Sequence, residues 1–221
     1  MSGALESLRR WLGGGRREAA GRALPERWVV VDTETSGLDP ERDRLLAIGG
    51  VAVDGDGICI GDSFEIVLRS TASGDAENIA LHGIGHGAQA AGTPVPEALA
   101  AYRDWAADAP HVGFHADFDR AVLRGAFAAA GLPAENRPWL DLAPLSQALV
   151  PDACRYGNRA LDDMLAAFGI ECTIRHNAAA DALATAELLL ELRAIAARQG
   201  TRGFDALVRA ARQGKWLGGA G

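Results

Sequence analysis

The sequence predicts a single domain of the mixed α/β class, and three observations lead to that prediction. Strand-like segments follow one another between residues 28 and 68, and shorter strand-like segments alternate with helical ones after them. The chain has 221 residues, which is enough for one sizeable core. Its 48% hydrophobic and 23% charged residues are ordinary globular values and exclude a largely disordered chain. This order of elements is typical of one mixed sheet flanked by helices.

The first three strands are predicted from apolar segments. Trp28–Asp32 is a β-branched run, which is typical of a buried central strand. Leu45–Val53 and Ile58–Leu68 follow it, and Gly55–Gly57 between them has the composition of a hairpin turn. A polar turn at residues 40–44 separates the first strand from the second. We therefore expect these three strands to pair antiparallel.

The later elements are shorter strands and helices with recognisable ends. Gly131 and Gly169 are helix stops, and Asn177 is a natural N-cap for a long helix. The predicted helices are Pro96–Ala107, Phe118–Ala130, Arg159–Phe168, Ala178–Arg198 and Phe204–Arg212. The predicted strands are His111–Phe114 and Trp139–Leu142. Residues 70–94 lack clear periodicity and are predicted as a loop that contains a turn of helix.

Composition divides the chain into three predicted regions. Residues 1–26 form a basic arm with a short helix, 27–198 form the main domain, and 199–221 form a C-terminal helix and tail. The net charge is −7, so the protein does not coat duplex nucleic acid through bulk electrostatics. Any nucleic-acid partner is therefore expected at a local site such as a strand end, with metal ions supplying positive charge.

The spacing of the cysteines and the hydropathy of the chain indicate where in the cell the protein is located. The three cysteines are widely spaced and form neither a C-x-x-C motif nor a disulfide framework. No apolar run approaches the roughly 20 residues of a membrane span. The N-terminal residues lack the apolar segment of a secretory signal. We expect a cytoplasmic protein with no membrane partner.

Two acids at the end of the first strand carry the strongest chemical signal. Residues i and i+2 of a strand lie on one side, so Asp32 and Glu34 point the same way. Two adjacent carboxylates repel each other unless a cation neutralises them, and oxygen ligands favour Mg²⁺ or Mn²⁺. For this acid pair alone, a solvated turn at the strand end is the more frequent explanation.

Two later segments add candidate ligands and a base. Asp119 lies in the first turn of a predicted helix, where an acid also complements the helix dipole. Asp181 lies in the first turns of the helix that Asn177 caps, and His176 precedes that helix on a loop. This arrangement gives a fixed ligand beside a movable base. Taken singly, His176 would more often be a surface histidine.

Together these segments resemble the DEDDh group of DnaQ-like 3′–5′ exonucleases. The motif D-x-E-T-T-G-L corresponds to residues 32–38, the F-D motif to Phe118–Asp119, and H-N-A-x-x-D-A to residues 176–182. The resemblance runs from Trp28 to Arg193 with the motifs in the family order. The chain departs from the family at Phe114–His115, where a His-Asn pair is usual, so substrate contacts of that segment are not carried over.

The resemblance implies a ribonuclease H-like fold, with a mixed five-stranded sheet whose first three strands are antiparallel. It implies that Asp32, Glu34, Asp119 and Asp181 hold two divalent cations, Mg²⁺ or Mn²⁺. It also implies that His176 is the general base. The expected reaction is metal-dependent hydrolysis that releases nucleoside monophosphates from the 3′ end of single-stranded or frayed DNA, or of RNA.

The resemblance further implies which residues contact the terminal nucleotide. They belong to the turn after the first strand and to a later H-x-I segment, and they are Thr33, Thr35, Gly37, Leu38, His82 and Ile84. For the second segment, ordinary loop packing is an equally good explanation.

Several alternatives remain at this point. The enzyme could be a proofreading subunit with a DNA polymerase partner, an RNA-trimming exonuclease, or a homodimer as in parts of the family. A stand-alone exonuclease is favoured over a subunit, because no hydrophobic polymerase-binding peptide follows Gln199. A non-catalytic binding module would have lost an acid or His176, and the four acids and His176 are all present. A haloacid-dehalogenase-like phosphatase is disfavoured, since Lys215 in the tail is the single lysine. Scattered acids, or a salt-bridged arginine blocking them, would contradict the nuclease prediction.

Overall fold

A mixed five-stranded sheet forms the centre of the protein. The computed structural model describes residues 26–70, 83–133, 136–154, 160–172 and 174–218. The strands are β1 (Trp28–Thr35), β2 (Leu45–Val53), β3 (Ile58–Val67), β4 (His111–Gly113) and β5 (Trp139–Asp141). Their order across the sheet is β3-β2-β1-β4-β5. The first three strands pair antiparallel, and β4 and β5 join β1 in parallel, which confirms the predicted fold.

Helices cover both faces of the sheet. They are α1 (His86–Ala91), α2 (Val95–Ala106), α3 (Ala116–Ala129), α4 (Leu142–Leu149), α5 (Leu161–Phe168), α6 (Ala178–Arg198) and α7 (Phe204–Gly218). None of these described helices is long and apolar enough to cross a membrane. The short helix and most of the arm predicted for residues 1–26, and the candidate His82, fall outside the described residues.

Helix α4 is the described element that sequence reasoning missed. Its residues Leu-Ala-Pro-Leu-Ser-Gln-Ala-Leu follow β5 directly, and six of the eight are buried. A helix buried on nearly all sides lacks the polar face that periodicity detects. The Asp141 carboxylate caps it by accepting a hydrogen bond from the Ala143 N–H at 3.0 Å.

The side chains of β1 alternate between two cores. Trp28 and Val30 lie in the cluster formed with α4, α5, α6 and α7. Val29 and Val31 lie in the cluster formed with α2 and α3. Because this alternation has a period of two, the residues that follow in β1 are divided between the α6 face and the α3 face.

The C-terminal helix is part of the first of these cores. Phe204, Leu207 and Ala211 of α7 are buried, and the ring of Phe204 packs edge-on against Trp28 at 5.2 Å. A Cβ at Gly214 would lie 1.9 Å from the Pro144 carbonyl oxygen, so glycine permits α7 to approach α4 this closely. Helix α7 also extends six residues beyond the predicted end at Arg212.

Candidate active site

The end of β1 directs its acids to one face of the sheet. Asp32 and Glu34 continue the side that carries Trp28 and Val30, which is the face covered by α6. The pairing of β1 with β2 shifts register directly after Glu34. Such irregularities end regular pairing and redirect the chain, and here the turn of residues 36–44 begins at that point.

The start of α6 brings a third acid to the same place. The Asn177 side chain accepts a hydrogen bond from the Ala180 N–H at 3.0 Å, which confirms the predicted cap. Asp181 follows in the first turn and is 5% exposed. Gly49 of β2 pairs with Asp32, and a Cβ at this glycine would lie 2.1 Å from the backbone carbon of Ala178. The absence of that side chain lets α6 begin directly over the acids of β1.

Three carboxylates therefore meet at the junction of β1 and α6. Oxygen atoms of Asp32, Glu34 and Asp181 all lie within 4.8 Å of one another. The fold thus brings together residues that lie up to 149 positions apart in the sequence. Hard divalent cations prefer a set of oxygen ligands of this kind.

The fourth predicted acid, Asp119, approaches from the α3 side. It is 5% exposed, and its Oδ1 accepts a hydrogen bond of 2.7 Å from the hydroxyl of Thr33. It does not belong to the group of three whose oxygens lie within 4.8 Å. It is nevertheless close enough to raise the pKa of Asp32 and of Glu34 electrostatically. The site thus consists of three clustered carboxylates and one adjacent acid.

Burial and nearby negative charges raise the pKa values of Asp32, Glu34 and Asp119. Burial raises the pKa of Asp32 well above its usual range, and Asp119, Glu34 and Asp181 raise it further. Burial and the charges of Asp181 and Asp119 raise the pKa of Glu34 to about 7. Burial likewise raises the pKa of Asp119 to about 7, against the hydrogen bond from Thr33. A bound divalent cation would relieve this repulsion, so the donor set fits the predicted metal ions.

Arg175 lies on one side of the acid cluster. Its guanidinium forms ion pairs with the buried Asp181 and with Asp162 in the first turn of α5. It lowers the pKa values of Asp32 and Glu34, against the larger opposing effect of burial. A salt-bridged arginine that blocked the acids would contradict the nuclease prediction. Among the described residues, the ion pairs of Arg175 involve Asp181 and Asp162, so it covers one of the three clustered acids.

The candidate base follows that arginine. His176 has a left-handed backbone with φ of 59°, and its N–H donates to Asp181 Oδ2 at 3.0 Å. Its side chain is partly buried. The backbone contact places His176 beside the acid cluster, on the loop that the sequence predicted.

The turn after β1 presents one apolar side chain to solvent. Leu38 is 91% exposed, whereas the Thr35 hydroxyl is occupied locally and donates to the Gly37 carbonyl at 2.6 Å. The Thr33 side chain is buried and its hydroxyl is directed to Asp119, on the α3 side of the strand. Ile84 is partly buried, and its carbonyl accepts a hydrogen bond from the Gln89 side chain. Among the candidate substrate contacts that the structure describes, Leu38 is therefore the most exposed.

Sequence reasoning missed two residues that organise the site. Asp141 accepts hydrogen bonds from the N–H groups of Ala143 and His115, each at 3.0 Å, and so holds the starts of α4 and α3. An aspartate directly before an apolar run is an N-cap signal, which could have identified it. Arg175 had no such signal, because its ion pairs join residues of two different helices.

Comparison with known proteins identifies the family. The model of the exonuclease family matches residues 29–189, and the chain belongs to that family. The match confirms the predicted class of 3′–5′ exonucleases.

The individual proteins with similar sequences are DNA polymerases. The chain is 31% identical over 191 residues to "DNA polymerase III PolC-type" of Bacillus subtilis, and 31% identical over 167 residues to that of Bacillus cereus. These matches cover 86% and 76% of this chain, but 13% and 11% of the two polymerases. The chain therefore spans a small part of the curated relatives it matches.

Solved structures share the fold. An E. coli exonuclease I in complex with a dT13 oligonucleotide matches with a TM-score of 0.68 and 19% identity, over 79% of this chain and 42% of that one. Exonuclease X in complex with 5′ overhanging duplex DNA matches with a TM-score of 0.64 and 20% identity, over 83% of this chain and 99% of that one.

Proposed function

We propose that the protein is a metal-dependent 3′–5′ exonuclease that releases nucleoside monophosphates from single-stranded or frayed DNA ends. The observation that carries this proposal is the cluster of three carboxylates within 4.8 Å, with Asp119 beside it. An acidic protein with net charge −7 repels a polyanion unless cations intervene. The three clustered acids and the adjacent Asp119 supply a place for such cations.

The residues of the site divide the work between binding and proton transfer. Asp32, Glu34, Asp119 and Asp181 would hold two divalent cations, Mg²⁺ or Mn²⁺. When bound, such a pair activates water for attack on phosphorus and stabilises the leaving 3′-oxygen. The carboxylates must be ionised to bind, and their proximity to one another makes cation binding favourable near neutral pH.

His176 is proposed as the general base. Its loop is tied to Asp181 through the backbone N–H, so the imidazole stays next to the cluster. An imidazole is the most common general base in enzymes and can accept the proton of the attacking water. The left-handed backbone at this residue fixes the direction in which its side chain leaves the loop.

The turn of residues 35–38 is proposed to hold the terminal nucleotide. Leu38 is an exposed apolar side chain four residues after Glu34, and an apolar group can pack against a base face. The other proposed contacts are Thr33, Thr35, Gly37, His82 and Ile84. A homodimer and the division at residues 26 and 198 also remain proposals.

A role in polymerase proofreading is the second candidate. It is favoured by the identity to PolC-type DNA polymerase III, whose chains are far longer than this one. In that case the protein, or a longer chain containing it, would act on mismatched 3′ ends next to a DNA polymerase. Exonuclease activity itself is common to both candidates.

Paired aspartate variants on α3 test the proposal. Asp119→Ala should abolish Mg²⁺-dependent trimming of single-stranded 3′ ends, because it removes a proposed metal ligand. Asp117→Ala is the matched control, since Asp117 is exposed on the same helix and pairs with Lys215. Asp32→Ala should behave like Asp119→Ala. Substantial residual activity in either of these two variants would refute the ligand assignment.

A histidine pair tests the general base. His176→Ala should lower kcat by about 10²–10⁴-fold, which is the usual contribution of a general base. His86→Ala, at the exposed start of α1, is the control. An unchanged pH–rate profile in His176→Ala would remove His176 from this role.

Labelled DNA, RNA and duplexes with mismatched 3′ ends should be compared side by side. We expect single-stranded DNA and frayed ends to be degraded from the 3′ end to mononucleotides. Strong preference for a mismatched over a matched duplex would favour proofreading. Strong preference for RNA would replace the proposed DNA substrate.

A further inference from the structure

Arg175 joins the acid cluster to a carboxylate outside it. One end of its guanidinium, Nη1, pairs with Asp181 Oδ1, and Nε pairs with Asp162 Oδ1. The two acids differ in environment, since the Asp181 side chain is 7% exposed and the Asp162 side chain is 61% exposed. The same planar group therefore spans a buried acid of α6 and a solvent-facing acid of α5.

Both oxygens of Asp181 are engaged by the loop that precedes α6. Oδ1 is paired with Arg175, and Oδ2 accepts the N–H of His176 at 3.0 Å. A divalent cation bound through Oδ1 would meet the positive guanidinium at the same oxygen. Two like charges in contact at a buried oxygen repel strongly, so both cannot be held there together.

Asp162 offers the guanidinium a second position. It already accepts Nε, and it lies on the surface, where the arginine can rotate towards it without crossing the core. The loop of Arg175 and His176 would remain attached to Asp181 through the His176 N–H. Release of one contact therefore does not require the loop to unfold.

We propose that Arg175 is a positioning residue that competes with a divalent cation for Asp181, with Asp162 retaining the guanidinium when the cation binds. The proposal rests on the proposed function only in that it places a cation at Asp181. It assigns Arg175 and Asp162 to the control of metal affinity, a role that the family motifs do not include.

Mn²⁺ titration calorimetry on the full chain, after removal of metals by chelation, measures this competition directly. Arg175→Gln should tighten Mn²⁺ binding by about fivefold or more, because the cation no longer displaces a paired charge. Arg198→Gln is the matched control, since it removes an exposed arginine at the far end of α6. It should leave the Mn²⁺ affinity unchanged.

Two further variants separate competition from simple charge repulsion. Arg175→Lys keeps the charge but lacks the fork that spans both acids, and it should bind Mn²⁺ more tightly than the wild type. Asp162→Asn removes the second position and should weaken Mn²⁺ binding in the wild-type background. In the Arg175→Gln background, the same substitution should have no effect.

The outcomes are distinguishable. Equal Mn²⁺ affinity in wild type and Arg175→Gln would overturn the competition, while leaving the exonuclease proposal intact. An equal effect of Asp162→Asn on Mn²⁺ affinity in the wild type and in Arg175→Gln would also overturn the competition. The effect would then come from the loss of a negative charge and not from the guanidinium. Failure of Mn²⁺ to bind wild type, Arg175→Lys and Arg175→Gln would overturn the metal site and the proposed function together.

Discussion

The hydroxyl of Thr33 illustrates how a single residue supports the site from behind. It lies on the opposite side of β1 from Asp32 and Glu34 and donates to the buried Asp119 at 2.7 Å. A hydrogen bond to an ionised, buried carboxylate is stronger than one to a neutral group. The hydrogen bond from Thr33 therefore contributes most to stability when Asp119 is ionised. Asp119 is ionised at pH values above its raised pKa of about 7.

Thr33→Val should lower the free energy of unfolding by about 1–3 kcal/mol at about pH 8, because the buried carboxylate loses its donor. Thr33→Ser keeps the hydroxyl and should restore most of the loss. Urea unfolding in the presence of a chelator measures both variants. Equal destabilisation by valine and serine would show that the methyl group, and not the hydrogen bond, is responsible.

His111 is a second residue whose environment predicts a measurable effect. It is fully buried in β4, and burial lowers the pKa of its imidazole from 6.5 to about 4. The folded state thus favours the neutral ring. Its contribution to stability is complete above about pH 6.5 and is lost as the pH falls towards about 4.

His111→Phe removes this titration and keeps a ring against Trp139, which lies 4.7 Å away. The free energy of unfolding of the wild type, relative to the variant, should fall by about 3 kcal/mol between pH 7 and about pH 4. Urea unfolding across this range measures the difference. If the difference in the free energy of unfolding between the wild type and the variant stayed constant with pH, the lowered pKa of His111 would be contradicted.

At the scale of elements, the contact of β2 with α6 decides where the acids meet. Gly49 lies beside Asp32, and α6 begins directly over it. Gly49→Ala would place a Cβ 2.1 Å from the Ala178 backbone and should move α6, and Asp181 with it, away from β1.

We expect Gly49→Ala to lower the free energy of unfolding by about 1–3 kcal/mol and to reduce nuclease activity. Gly61→Ala on β3 is the control, because nothing lies within 4 Å of its added Cβ. Thermal unfolding and Mg²⁺-dependent trimming should be measured together. Equal results for the two alanines would show that the close approach at Gly49 does not position α6.

The elements differ in how well the sequence predicts them. The bounds of β2 and of α6 agree with prediction, because a continuous apolar run and an N-cap are local signals. Helix α3 begins two residues before the predicted Phe118, since its start at Ala116 depends on the left-handed His115 and the distant Asp141. Helix α4 was missed because it is short and most of its residues are apolar and buried, which leaves little polar face to indicate a helix.

At the scale of the whole molecule, the acidic charge limits how nucleic acid is held. With a net charge of −7, binding is expected to depend on the cations and on contacts near one strand end. The logarithm of the affinity for single-stranded DNA should fall with the logarithm of the salt concentration with a slope no steeper than about −2, as for about three phosphate contacts.

Fluorescence anisotropy of a 5′-labelled oligothymidylate, with Ca²⁺ in place of Mg²⁺ to slow hydrolysis, measures this slope. A matched RNA oligomer serves as the comparison. A slope several times steeper would indicate an extended basic track along the protein, and the expectation of binding at a local site would then be wrong.

The sequence by itself determined the family, the candidate acids and base, and the order of strands in the antiparallel half of the sheet. These follow from short-range patterns: the i, i+2 spacing of Asp32 and Glu34, the cap at Asn177 and the ordered motifs. The tertiary structure alone decided that Asp119 lies on the α3 side of β1, bonded to Thr33, and that Arg175 pairs with Asp181. Such contacts join residues of different elements, and their geometry depends on packing distances that no local pattern encodes.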